Sequence, residues 1–299
     1  MADRFGSTIA ALYTSVHPQG YADAERLQIL ANAGFPRVDY HFAVEYDERR
    51  LRMVPFLQDD WQKWSASLKE EAKKLGVIIH QTHSPTPPLF ESKECEKEAA
   101  RIIDQAIEAS ALMGAQMMVV HPDTPSASRF DPQVCLELNA VFFAERAKTA
   151  SRFGIRLCME NMLSNRLFDG TCFVRFCDKF DEQKELVEAI GQPNMGYCLD
   201  VGHAHYMHWD IPQTVRQMSD QLWALHVHDN DRFNDEHLAP FAGTLDWSGF
   251  LRALKEIGYQ GTLTLETVNY CRRMPKELHP EALKMLAQVC RRMCDEAGI

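Results

Sequence analysis

The strongest constraint on this chain is an alternation that runs unbroken from end to end. Short apolar runs take turns with longer segments of helical period. The strand-like runs fall at 8–14, 37–42, 77–82, 116–121, 155–160, 195–200, 222–228 and 261–268. Between and after them, residues near 22–33, 60–75, 93–113, 133–153, 181–190, 212–220, 247–257 and 280–296 carry the helical spacing. A strand that is always followed by a helix must pair in parallel with the next strand, because the helix carries the chain back over the sheet. Eight such units close on themselves, so the expected fold is an α/β (β/α)8 barrel, the TIM barrel, as a single domain over 1–299.

The punctuation agrees. Gly34, Gly76, Gly114, Gly154, Gly191 and Gly258 each stand a few residues before the next strand run, where a left-handed residue stops a helix. The segments Ser84-Pro85-Thr86-Pro87-Pro88 and Pro122-Asp123-Thr124-Pro125 cannot be helix interior and are read as loops. No internal repeat beyond the β/α unit, low-complexity tail or linker interrupts the pattern. No apolar run reaches the roughly 20 residues needed to cross a bilayer, and the start has no charged region followed by an apolar core, so a cytoplasmic protein is expected. The nine cysteines are scattered without a Cys-x-x-Cys pair and are read as reduced, mostly buried thiols. A net charge of −10 makes the chain a poor electrostatic partner for nucleic acid.

The chemistry lies in how the apolar runs end. The third ends in His80-Gln81-Thr82-His83, the fourth in His121, the fifth in Glu160-Asn161 and the sixth in Asp200, with His203 close behind. The seventh ends in His226-Val227-His228-Asp229 and the eighth in Glu266. Six consecutive strands thus deliver a histidine or a carboxylate at the rim where barrel enzymes hold their sites. Buried carboxylates gathered on one axis repel one another, and a divalent cation neutralises them. Glu160, Asp200, His226 and Glu266 supply hard oxygen donors and one imidazole, which suits Mn, Mg, Co or Zn. Each residue alone also has an ordinary structural explanation, as a hydrogen-bonded core histidine or a salt-bridged carboxylate; the joint pattern is what points to a metal. Arg232, in the polar loop Asp229-Asn230-Asp231-Arg232, can clamp a substrate hydroxyl or phosphate, or can be a solvated loop residue. His17, His205, His208, Arg129 and Arg166 are read as loop surface or pocket wall. Trp61, Trp64, Trp209 and Trp247 either line a pocket or pack helices and loops.

These residues also carry a resemblance. Leu199-Asp200-Val201-Gly202-His203 resembles the Asp-x-x-His element of the sugar phosphate isomerase/epimerase superfamily, the xylose isomerase-like barrels. His226-Val227-His228-Asp229-Asn230-Asp231, then Asp235-Glu236-His237-Leu238 and Gly243-Thr244-Leu245-Asp246-Trp247, is similar to its strand-seven signature, while Met159-Glu160-Asn161 and Leu265-Glu266-Thr267 match its two ligand glutamates. The resemblance covers nearly the whole chain and is least distinctive over the first 70 residues. It implies one divalent ion on Glu160, Asp200, His226 and Glu266, proton transfer next to a carbonyl by Glu160 and Glu266, and substrate oxygens steadied by His83, His203 and Arg232. Two departures stand out. The epimerases place a further glutamate six residues after the strand-five glutamate, where this chain has Arg166; many relatives also read Gly-Glu-Gly where it has Phe241-Ala242-Gly243.

The same superfamily includes apurinic-site endonucleases with three zinc ions. Their ligand order is matched by His83, His121, Glu160, Asp200, His203, His226, Asp235, His237 and Glu266, so His121, Asp235 and His237 are candidate ligands for a second or third zinc. The leading expectation is a metal-dependent isomerase or epimerase of a small sugar, polyol or sugar phosphate. A dehydratase of a cyclitol or keto sugar is the alternative, and a zinc-dependent apurinic-site endonuclease is the third. The expected partner is a small carbohydrate rather than nucleic acid or a membrane, with a homo-oligomer possible in principle.

Overall fold

The computed structural model describes residues 9–12, 23–42, 55–125, 130–166, 172–272 and 274–299; His17 and Arg129 lie outside them, as does the side chain of Arg166. Eight parallel strands run β1 (Ile9–Leu12), β2 (Arg37–His41), β3 (Ile78–His83), β4 (Met117–Val120), β5 (Arg156–Glu160), β6 (Met195–Asp200), β7 (Leu222–His226) and β8 (Leu263–Leu265). Each lies beside its sequence neighbours, and β8 returns to pair with β1. The seam between β7 and β8 closes through two backbone hydrogen bonds, Val227 N–H to Thr264 O (2.8 Å) and Glu266 N–H to Val227 O (3.0 Å). This is the expected TIM barrel.

The helices that return the chain are α1 (Asp23–Ala33), α2 (Trp61–Lys74), α3 (Lys93–Met113), α4 (Pro132–Arg152), α5 (Phe180–Ile190), α6 (Val201–Tyr206), α7 (Ile211–Met218), α8 (Trp247–Glu256), α9 (Val268–Arg272) and α10 (His279–Ala297). Their starts and stops are local chemistry. Ser92 caps α3, its hydroxyl accepting from Cys95 N–H, and Gly114 ends it at φ 89°, a conformation that costs a side-chain-bearing residue about 1 kcal/mol or more. Asp131 caps α4 with Pro132 in the first turn. Two short helices, α6 and α9, stand where the sequence pattern gave no helix. Helix α6 follows β6 directly because the Asp200 carboxylate accepts the N–H of His203 (2.7 Å) and so nucleates the turn.

Alternation within the strands separates two cores. Most of the apolar mass lies between strands and helices, including Val38, Ile79, Met118, Leu157, Leu199 and Leu225. A smaller cluster of Met117, Val119, Cys158, Cys198 and Ala224 fills the barrel itself. Two residues further along the same strand face come His121, Glu160, Asp200 and His226, so the side chains that follow the apolar plug stand directly above it. The nine cysteines are all free, as expected.

Candidate metal centre at the barrel mouth

Glu160 at the end of β5 is fully enclosed by histidines. Its Oε2 lies 2.9 Å from His121 Nε2 and 3.4 Å from His83 Nε2, and its Oε1 lies 3.1 Å from His226 Nδ1. The carboxylate of Glu266 comes within 2.9 Å of the same His226 Nδ1. One atom from each of Glu160, Asp200, His226 and Glu266 fits within a sphere of mutual distances no greater than 4.8 Å. The four expected ligands therefore converge.

The neighbouring candidates converge too. His203, His228, Asp235 and His237 form a second group of the same compactness, and His83, Glu160 and His226 a third. His237 Nε2 lies 3.0 Å from Asp235 Oδ2 while its Nδ1 hydrogen-bonds Glu266 O (2.9 Å), and His228 Nε2 lies 3.0 Å from Asp200 Oδ1. All nine positions of the three-zinc ligand order thus border one another. Arg232 is different: it is exposed, at φ 75°, with its N–H on Asn230 Oδ1, and it faces His205 rather than the carboxylates.

The electrostatics are those of a site arranged for a cation. Burial works against charge on His226, but Cys198, Glu160, Glu266 and the hydrogen bond to Asp39 together hold its pKa well above the ordinary histidine value. Burial likewise disfavours charge on Glu160 and Glu266, yet the imidazoles around them keep both carboxyls well below the usual range. His121, dominated by burial, falls to about 4 and is a neutral, ligand-ready imidazole. In effect the His226 ring stands among three carboxylates, Asp39, Glu160 and Glu266. Among the described residues, Asp235 Oδ1 and His228 Nδ1 are buried with no hydrogen-bond partner. Unpartnered donor atoms facing a cluster of hard oxygens and nitrogens are what a divalent ion would satisfy, so the residues present fit one.

One supporting residue escaped the sequence reading. Asp39 in β2 is wholly buried, and its Oδ2 accepts from Gln81 Nε2 and from His226 Nε2 (3.1 Å). That bond fixes the proton on Nε2 and leaves Nδ1 toward Glu160 and Glu266, the carboxylate–histidine arrangement that orients metal-binding imidazoles. A register shift in the β2–β3 pairing, from Val38 opposite Ile79 to Asp39 opposite Gln81, aligns the pair. The polar run at the end of β3 was the available signal, but a bulge cannot be seen in alternation. Three of the tryptophans serve structure: Trp64 Nε1 donates to Asp23, Trp209 to Asp178 O and Trp247 to Asp229 Oδ2. Asp229 also accepts from Gly243 N–H and Leu245 N–H, which pins the rim loop carrying Asp235 and His237.

The family described as xylose isomerase-like TIM barrels matches residues 27–289. An uncharacterized protein, MJ1311, of Methanocaldococcus jannaschii is 26% identical over 199 residues, 66% of each chain. An inosose isomerase of Halalkalibacterium halodurans is 28% identical over 130 residues, 41% of this chain and 43% of its own length. The alignments thus span about two thirds and less than half of these relatives. A solved D-psicose 3-epimerase, determined in the presence of D-fructose, superposes with a TM-score of 0.76 at 15% identity over 96% of this chain and 99% of its own, a likeness of fold. In type, this is an isomerase/epimerase-like barrel enzyme.

Proposed function

Since the chain belongs to the xylose isomerase-like TIM barrel family, we propose that it is a divalent-metal-dependent isomerase or epimerase of a small sugar, polyol or sugar phosphate. The observation that carries the reading is the convergence of Glu160, Asp200, His226 and Glu266 on one point above the barrel plug. An ion held by these four would polarise a substrate carbonyl and acidify the adjacent C–H. Of the two glutamates, Glu266 is the better placed to carry the proton. Its side chain is 15% exposed against 2% for Glu160, and of the imidazoles only His226 lies close to it, at 2.9 Å, whereas three histidines crowd Glu160. His83 donates Nδ1–H to Ser84 O and His203 donates Nδ1–H to Asn161 O, so each turns Nε2 toward the site, where it can steady a substrate oxygen. Asp39 keeps His226 in register, and the apolar plug of Met117, Val119, Cys158 and Cys198 keeps water from below.

The test is twofold. Removal of metal by a chelator should abolish interconversion of ketoses or inososes, and Mn2+ or Co2+ should restore it. Glu266→Gln should lose exchange of the substrate's carbon-bound hydrogen with solvent by a factor of about 10² to 10⁴. Exchange that persists in the metal-free protein or in E266Q sinks the proposal. Product analysis also separates the dehydratase, since only a lyase releases water.

A second reading draws on the group His203, His228, Asp235 and His237 beside the first one. Several zinc ions held there would suit phosphodiester cleavage, against which stands the net charge of −10. Three tightly held zincs per chain with nicking of abasic DNA would establish it; a single exchangeable ion would dismiss it.

A further inference from the structure

We propose that the cavity beside His121 receives an anionic group of the substrate, a phosphate or a carboxylate, and that Arg175 grips it. The inference rests on the sugar reading above and narrows its substrate class to acidic sugars.

The cavity, of about 380 Å3, is lined by Ser84, Pro85, His121, Asp123, Phe173 and Arg175 among others. His121 belongs to both places: its Nε2 meets Glu160 at 2.9 Å while its ring forms part of the cavity wall. A molecule reacting between Glu160 and Glu266 can therefore extend its far end past His121 into this space. There it meets a cation.

Arg175 is mostly buried, and burial lowers its pKa despite the nearby charges of Asp123 and Glu160. Among the described residues its guanidinium makes no hydrogen bond and has no carboxylate within 4.0 Å. Asp123 does not neutralise it by contact, because its Oδ2 accepts Leu89 N–H (2.8 Å) and its Oδ1 accepts Thr124 N–H (2.8 Å). The backbone that delivers Arg175 is fixed on both sides: its N–H donates to Ser164 Oγ (2.9 Å), and Phe176 N–H donates to Thr124 Oγ1 (2.8 Å). A mostly buried guanidinium with no partner among the described residues is costly to fold unless something of opposite charge fills its fork. The opposite wall, Pro85, Thr86, Pro87, Pro88 and Leu89, carries no charged side chain, and Glu91 at its end is exposed to solvent. A neutral sugar end would leave the charge unanswered, whereas a phosphate or carboxylate would meet it through charge-assisted bonds.

The experiment measures binding, which does not depend on turnover. The Mn2+-loaded full chain is titrated calorimetrically with D-fructose, D-fructose 6-phosphate and D-gluconate, the last two distinguishing a phosphate from a carboxylate. At least one anionic probe should bind wild type about tenfold or more tightly than D-fructose. Arg175→Met should erase that preference while keeping the wild-type Mn2+ stoichiometry, and Arg175→Lys should keep part of it. Inorganic phosphate titrated into the metal-free chain should bind wild type and not R175M, which separates the pocket from coordination at the ion. If neither anionic probe outbinds D-fructose, or if R175M retains the preference, the inference is overturned. If the Arg175-dependent preference is present but neither metal nor Glu266 affects hydrogen exchange, the pocket stands and the isomerase reading falls.

Discussion

Replacing Gly202 with alanine tests the local geometry without assuming any reaction. Gly202 lies in α6 with an ordinary helical backbone, so alanine there should by itself stabilise the fold, by about 0.4–1 kcal/mol, through a less flexible unfolded chain. Its surroundings reverse the sign. A Cβ at 202 would lie 1.9 Å from His228 Cε1, 2.3 Å from Nδ1 and 2.4 Å from Nε2, so the ring must move by more than an ångström. It has little freedom to do so: the His228 ring is fully buried, stacks on His237 at 4.0 Å between centroids, and holds Asp200 Oδ1 at 3.0 Å. Overpacking costs roughly 1–3 kcal/mol and a lost buried bond to a charged group about 1.5–3 kcal/mol, so G202A should lose about 2–5 kcal/mol in a urea titration of the metal-free chain. Metal affinity should fall with it, because Asp200 is displaced. The decisive control is the double variant: with His228→Ala in place, adding G202A should cost nothing or return a few tenths of a kcal/mol. Wild-type stability in G202A, or an unchanged penalty in the H228A background, would refute the reasoning.

Other outcomes follow from the same coordinates. Asp39→Asn keeps the shape but removes the charge behind His226, and should weaken Mn2+ binding by about 10- to 100-fold in a calorimetric titration; unaltered affinity would remove Asp39 from its positioning role. Loading the chain with Mn2+ at about a hundred times its dissociation constant should add about 2.7 kcal/mol to unfolding, and a midpoint insensitive to the ion would contradict the site. In the metal-free chain, burial disfavours charge on His237, but Asp235 raises its pKa to about 10. Its stabilisation is therefore complete below the unfolded value near 6.5 and is lost as pH rises toward 10. His237→Gln should cost most at about pH 6 and progressively less up to about pH 10, and a pH-independent difference would show that the pair carries no such linkage.

Much of the frame was legible in the sequence because it follows from short-range rules. Strand ends at Glu160 and Asp200 were read from apolar runs that stop at a charged residue. Helix ends were read from glycines, and Gly34, Gly76, Gly114, Gly154, Gly191 and Gly258 all adopt positive φ. What was hidden depends on partners distant in the chain. Asp39 lies inside β2 and looks like any polar residue of a strand; only the shift against β3 reveals that it faces His226 across 187 positions. Strand β7 stops at His226 rather than His228, since Val227 leaves the ladder with β6 to bridge Leu265. Arg175 follows a two-residue hairpin, Asn165–Arg166 with Cys172–Phe173, in a stretch without periodicity, where nothing local marks one arginine above another.

The seam between the seventh and eighth strands has a consequence for how the protein comes into being. Glu266 both donates one of the two hydrogen bonds that close the cylinder and carries the last carboxylate of the site, while His226 stands on the opposite bank. Closure and completion of the centre are thus a single event, reached when the eighth strand arrives. A nascent chain ending before residue 263 would hold an open-sided bowl with an unfinished ligand set. An ion bound between His226 and Glu266 would act as a buckle across the gap, so metal supply should influence how quickly newly made chains become resistant to proteases.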